Sequence, residues 1–242
     1  MAIPEARQTT NERGQLLTEI YIPTPNETAG LFDWDGTVMD NATPQKAAWH
    51  ILAERHEIPV TEEQLDSFIG KKTRSCIRIL FGQHLPSETV EALYFERLAI
   101  YENILAMDPK EIPGCKKVLT AMGATGCKLA IVTSGSLETR NLQIPLLIDR
   151  PEKTFHHITG VEHVEKHKPD PEPYLYTMRR LGIAAEMCIA FEDSREGVAS
   201  AAEAGIGIVF GISSRYMSAE ELHAEGAGLT IPDYTGVRIT QQ

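Results

Sequence analysis

The chain has no cysteine pair, no long apolar run and little positive charge. Its four cysteines, Cys76, Cys115, Cys127 and Cys188, are scattered singly through 242 residues with no Cys-x-x-Cys spacing. That argues against a disulfide framework or a thiolate zinc site and fits a reducing compartment. No apolar stretch approaches the ~20 residues that a membrane-spanning helix needs. The opening Met-Ala-Ile-Pro-Glu-Ala-Arg-Gln lacks the apolar core of a signal peptide, so a cytoplasmic location is expected. Lys and Arg number 23 against 34 Asp and Glu, a formal net charge of −11. Nucleic acid and anionic membranes call for basic patches, so neither is an expected partner. Repeats and low-complexity runs are also missing. What is present, 42% hydrophobic and 24% charged residues, is the composition of a globular protein with a sizeable core.

The most informative stretch is Leu31–Asn41, Leu-Phe-Asp-Trp-Asp-Gly-Thr-Val-Met-Asp-Asn. An apolar start runs into two acids, Asp33 and Asp35, whose spacing of two puts both carboxylates on one face of an extended chain. Gly36 permits a sharp bend next. Two acids at a strand end before a tight turn suit a divalent cation and a phosphoryl group. A solvated strand end with a turn-capping role is the plainer alternative.

Three further stretches share that character. Lys128–Thr133 is an apolar run ending in a hydroxyl, followed by Ser134-Gly135-Ser136. Lys168 opens Lys-Pro-Asp-Pro-Glu-Pro-Tyr. Cys188–Phe191 runs into Glu192-Asp193-Ser194 and then Gly197. In this order they resemble the four signatures of the haloacid dehalogenase superfamily, in its branch of phosphoglycolate phosphatases and β-phosphoglucomutases. The resemblance covers the chain after Gly30 and implies a Mg²⁺-dependent phosphatase acting on a small phosphorylated metabolite. It makes Asp33 the nucleophile that forms an aspartyl-phosphate and Asp35 the general acid, then base. It assigns the metal to Asp33, the carbonyl of Asp35 and Asp193, with Glu192 as a further ligand. Thr133, with the N–H groups of Ser134 and Gly135, would hold phosphoryl oxygens, and Lys168 would bridge the phosphoryl group and Asp33.

One departure and one cluster matter. The mutase type carries a histidine twelve positions after its nucleophile, and here that position is Gln45. A mutase is therefore disfavoured but kept as an alternative, beside a non-catalytic phosphate- or partner-binding module. His156, His157, His163 and His167 cluster before Lys168 without a standard ligand spacing, so solvated histidines are expected there rather than a metal.

The periodicity divides the chain. Residues 1–29 are expected to be a leader, ordered in part at most, with Ile20–Ile22 packing on the core. Residues 41–110 read as helical, with Thr61-Glu62-Glu63-Gln64 as one helix start. The resemblance makes this insertion a small helical cap that reads the leaving group. In it, Phe68-Ile69-Gly70-Lys71-Lys72-Thr73-Arg74 resembles a substrate-specificity loop, and Lys71 or Arg74 is expected to contact the substrate's distal end. Residues 30–40 and 111–242 alternate strand and helix, with a helix over 136–148 interrupted by Pro145 and a last strand at Gly207–Phe210. That pattern predicts an α/β core, a Rossmann-like doubly wound parallel sheet. Ligands bind such sheets at the carboxyl ends of the strands, where Asp33, Thr133 and Glu192-Asp193 all fall.

Overall fold

The computed structural model describes residues 2–24, 26–69 and 71–241. In chain order the elements are β1 (Glu5–Thr10), β2 (Leu16–Ile22), β3 (Ala29–Phe32), α1 (Ala42–Arg55), α2 (Glu62–Asp66), α3 (Thr73–Phe81) and α4 (Ser87–Met107). Then follow α5 (Cys115–Ala124), β4 (Lys128–Val132), α6 (Leu137–Leu147), α7 (Pro151–Thr154), β5 (His157–Thr159), α8 (Glu172–Leu181) and β6 (Cys188–Glu192). The chain continues with α9 (Arg195–Glu203), β7 (Ile208–Ile212), α10 (Ala219–Ala224), β8 (Leu229–Ile231) and β9 (Val237–Gln241). It divides into two compact units, Met1–Met39 with Glu111–Gln242, and Asp40–Lys110.

The first unit is built on a six-stranded parallel sheet in the order β5-β4-β3-β6-β7-β8. Every residue of β3 and β6 is buried, which is why these strands read as unbroken apolar runs rather than as alternation. In register across three neighbouring strands stand Phe32, Phe191 and Phe210. Their rings stack at 4.6 and 5.0 Å. The opposite face packs Leu31, Ala130 and Ala190 against Tyr174 and Met178 of α8 and Val198 and Ala201 of α9. With β4 on one side of β3 and β6 on the other, the connections diverge at β3. The crevice at its carboxyl end is the topological switch point of the sheet.

Three expectations need correction. Residues 1–29 are not a leader: β1 pairs antiparallel with β2, and β2 pairs parallel with β9, in a separate three-stranded sheet. Thr18, Ile20 and Ile22 form the buried face of β2, the alternation of a half-buried strand. Second, the strand at 208–212 is not the last, because α10, β8 and β9 follow it. Third, α6 runs through Pro145 without a break. Proline removes one helical bond, but the carbonyl it forgoes belongs to exposed Asn141, which water can satisfy.

The second unit is helical. α1 packs on α4, and α2 begins with a capping box in which the Thr61 side chain and Gln64 satisfy each other's backbone N–H. Arg97 of α4 is buried, lies over the Trp49 ring at 4.4 Å, and donates to the Gln45 carbonyl at 3.2 Å. No helix among the described residues is long and apolar enough to cross a membrane.

Candidate active site

Asp33 follows β3 directly, and its N–H continues the ladder by donating to the Phe191 carbonyl at 3.0 Å. The backbone therefore fixes its carboxylate at the strand end. Lys168 reaches it from the loop before α8: Nζ lies 2.7 Å from Asp33 Oδ1, 2.5 Å from Glu192 Oε1 and 2.7 Å from the Val132 carbonyl. An ammonium has three donors, and all three are used, which accounts for a lysine side chain only 5% exposed. Tyr174 of α8 donates its hydroxyl to the same Glu192 oxygen. Glu192, at the end of β6, is fully buried.

Two glycines make room for the acids. A Cβ on Gly36 would stand 1.9 Å from Asp193 Oδ2, and Gly36 also has φ of +80°. One on Gly197 would stand 1.9 Å from Glu192 Oε2. The turn after Asp33 and the first turn of α9 are thus cradles for the two carboxylates, and no other residue type fits the first without moving Asp193.

Carboxylate oxygens of Asp33, Glu192 and Asp193 lie within 4.8 Å of one another. Burial pushes the Asp33 carboxyl up, against the opposing pull of Lys168. Glu192 is raised by burial as well, with Asp33 adding repulsion. For Asp193, burial and then the charges of Asp33 and Glu192 raise it well above the usual range. Burial would lower the Lys168 ammonium, but Asp33 and Glu192 outweigh it and raise it. Two buried carboxylates and the half-buried Asp193 face one ammonium, a deficit of positive charge that a divalent cation would offset. The donors are all oxygens with no imidazole or thiolate, the set that suits Mg²⁺ rather than a softer metal. The residues present fit that ion.

Thr133 follows β4 and is buried. Its Oγ1 accepts from the Gly135 N–H at 3.0 Å. The Gly135 N–H, expected to face a phosphoryl oxygen, here holds the Thr133 hydroxyl. Ser134 is exposed at the loop's crest. Asp35 is half-buried, and its Oδ1 accepts from Gln143 Nε2 at 3.3 Å. Nothing in the local motifs announces Gln143 or the Val132 carbonyl. Only Tyr174 had a signal, its place six residues after Lys168.

The second unit holds Lys71 and Arg74. Lys71 is exposed, and Gly70 beside it lies outside the described residues. Arg74 is engaged: Nε and Nη2 bond both oxygens of Glu91 at 2.6 and 2.8 Å, and the guanidinium lies 3.9 Å from the Tyr94 ring centroid. These contacts engage Arg74 within its own unit. The histidines before Lys168 are also more structured than expected. His157, His163 and Tyr176 form a ring cluster with centroids 5.7–6.0 Å apart, and His156 and His163 each accept a backbone N–H at Nδ1. Among the described residues, the one group of three possible metal ligands is Asp33, Glu192 and Asp193.

Comparison with known proteins agrees with this geometry. The profile of the haloacid dehalogenase-like hydrolases matches residues 31–210. The chain is 30% identical over 203 residues to the phosphorylated carbohydrates phosphatase of Thermotoga maritima, covering 82% of this chain and 91% of that one. It is 31% identical over 180 residues to hexitol phosphatase A of Escherichia coli, covering 74% and 80%. A HAD hydrolase of family IA, variant 3, from Entamoeba histolytica matches in structure with a TM-score of 0.77 at 25% identity, over 87% of this chain and 95% of that one.

Proposed function

We propose, for a chain that belongs to the haloacid dehalogenase-like hydrolase family and is a phosphoric monoester hydrolase, that it hydrolyses a small phosphorylated sugar, sugar alcohol or phosphoglycolate-like acid through an aspartyl-phosphate on Asp33, with Mg²⁺. The observation that carries this reading is the buried Lys168, whose three donors tie Asp33 to Glu192 and to the end of β4.

In the first half-reaction an Asp33 carboxylate oxygen attacks phosphorus in line with the leaving oxygen. The Asp33 O–P bond forms, the ester P–O bond breaks, and Asp35 gives its proton to the departing alkoxide. In the second, the Asp35 carboxylate takes a proton from a water whose oxygen attacks phosphorus. The acyl-phosphate bond breaks, returning Asp33 as a carboxylate and Asp35 as an acid. Lys168 neutralises charge on the phosphoryl oxygens and holds Asp33 in attacking position. Thr133 donates its hydroxyl to the same oxygens. Mg²⁺, held by Asp33 and Asp193 with the Asp35 carbonyl and with Glu192 in support, would supply further charge neutralisation to the phosphoryl group.

Two named relatives support a carbohydrate or polyol ester as the substrate class, one called a phosphorylated carbohydrates phosphatase and the other a hexitol phosphatase. Gln45 stands where the mutase type has histidine, and an amide cannot exchange a proton at neutral pH. Hydrolysis is therefore preferred over phosphoryl return to a second hydroxyl. The test is a screen of phosphorylated metabolites for released phosphate, run with Asp33→Asn beside the wild type. The variant should fold and lose turnover by ~1,000-fold or more, as removal of one member of a cooperating catalytic set does. A rate above about a tenth of wild type would remove Asp33 as the nucleophile.

A further inference from the structure

The core-facing stripe of α6 is Arg140, Gln143, Ile144 and Leu147, the spacing of one helix face. Gln143 is anomalous there. Its side chain is as buried as a core leucine, at 1% exposure, yet it carries an amide, which is costly to bury without hydrogen bonds. Its Nε2 finds Asp35 Oδ1 at 3.3 Å. The helix that presents it is anchored at its start. Ser136 caps it through the Thr139 N–H at 3.3 Å. The Arg140 guanidinium, one turn before Gln143, pairs with Glu162 and lies against Gly160, where a Cβ would collide with it. Gln143 is therefore offered to Asp35 from a fixed platform.

The other Asp35 oxygen, Oδ2, lies toward the loop after β4: a Cβ built on Gly135 would stand 3.8 Å from it. That loop carries Thr133 and Ser134, the groups assigned to the phosphoryl oxygens. An amide N–H can only donate, so the oxygen it meets is held as an acceptor and the acid's proton resides on the other one.

We propose that Gln143 is a positioning residue for Asp35, fixing the carboxyl so that Oδ2 is the oxygen that passes a proton to the leaving group and later takes one from water. The inference rests on the reading of Asp35 as general acid and base. It adds a residue from a different element, 108 positions away in the chain, to the machinery of proton transfer.

The test uses two aryl phosphates that differ in their need for that proton. p-Nitrophenolate leaves as an anion near neutral pH, whereas phenolate departs far better when protonated. Gln143→Met keeps the length and burial of the side chain and removes the donor, and Gln143→Leu is made beside it so that a cooperatively melting variant is available. Phosphoenzyme formation is followed by rapid quench in a single turnover. Loss of the donor should slow the step by ~10-fold or more with phenyl phosphate and by less than ~3-fold with p-nitrophenyl phosphate, a part of what general acid catalysis contributes. Equal slowing of both substrates in a folded variant, as a loss of packing would give, or no slowing, overturns the proposal. Asp35→Asn is run in parallel. If it too fails to discriminate between the two leaving groups, the reading of Asp35 fails and the role of Gln143 falls with it. If it discriminates while the Gln143 variants do not, only the positioning role is refuted.

Discussion

Adding a single methyl group at Gly36 separates the two reasons for a glycine there. Gly36 has φ of +80°, and a Cβ would stand 1.9 Å from Asp193 Oδ2. Gly14, in the turn between β1 and β2, has φ of +76° with nothing within 4 Å of its would-be Cβ. Alanine at either position pays the left-handed backbone cost of roughly 1–2 kcal/mol, and at about 2–4 °C per kcal/mol for a chain of this size the melting temperature falls by ~2–8 °C. At Gly36 the methyl group also meets a carboxylate, the movable end of a side chain. The collision is relieved by swinging Asp193 away, and leaving Asp33 and Glu192 relieves repulsion too. The stability loss of Gly36→Ala should therefore resemble that of Gly14→Ala. The functional loss should not: displacing one carboxylate of the proposed metal site should raise the Mg²⁺ needed for half-maximal p-nitrophenyl phosphate turnover on the order of 10–100-fold. Gly14→Ala should leave that value unchanged. Thermal melts and Mg²⁺ titrations of both variants decide the matter. A Gly36→Ala enzyme with the wild-type Mg²⁺ requirement and rate would show that Asp193 is not a ligand held by this cradle.

Two further outcomes follow from ion pairs. Arg74→Ala removes a half-exposed pair with Glu91 and should cost at most about 1 kcal/mol, with KM for any substrate unchanged. A KM rise confined to the physiological substrate would restore Arg74 to recognition. Glu162 has its carboxyl lowered from 4.5 to about 2, chiefly by its bond to Arg140. A depressed carboxyl contributes stability that is complete above the unfolded-state value and is lost as pH falls through the folded one. The difference in urea midpoint between wild type and Glu162→Gln should thus hold steady above pH 4.5 and narrow as pH drops toward 2. A gap that is independent of pH would refute the pairing.

The clustering of the candidate-site residues was legible because each is encoded locally: an apolar strand, then an acid or hydroxyl at its end. Asp33, Thr133 and Glu192-Asp193 needed only the strand assignments to fall at one edge of the sheet. Whatever depended on a distant partner was not legible. Arg74 looked available because Glu91 stands 17 residues away on another helix. The Gly135 N–H looked available because only the rotamer of Thr133 decides whether its hydroxyl accepts that N–H. Gln143 looked like an ordinary helical residue, since the sequence does not say which face of α6 is turned inward. The strands in residues 1–29 were missed because their partners are distant: β2 pairs with β1 and with β9 at the far end of the sequence.

That last pairing bears on how the protein is made. The Thr240 hydroxyl reaches the Ile20 carbonyl across 220 positions of sequence, and β9 is the parallel neighbour of β2 along its length. Translation proceeds at about 5–20 residues per second, so β2 waits on the order of ten to forty seconds on the ribosome before its second neighbour exists. During that interval Ile20 and Ile22 belong to a hairpin whose β2 edge is still unpaired, a form open to pairing with other nascent chains. Polar residues of the two strands, Glu5, Arg7, Gln8 and Glu19 among them, keep that waiting hairpin hydrated until β9 arrives.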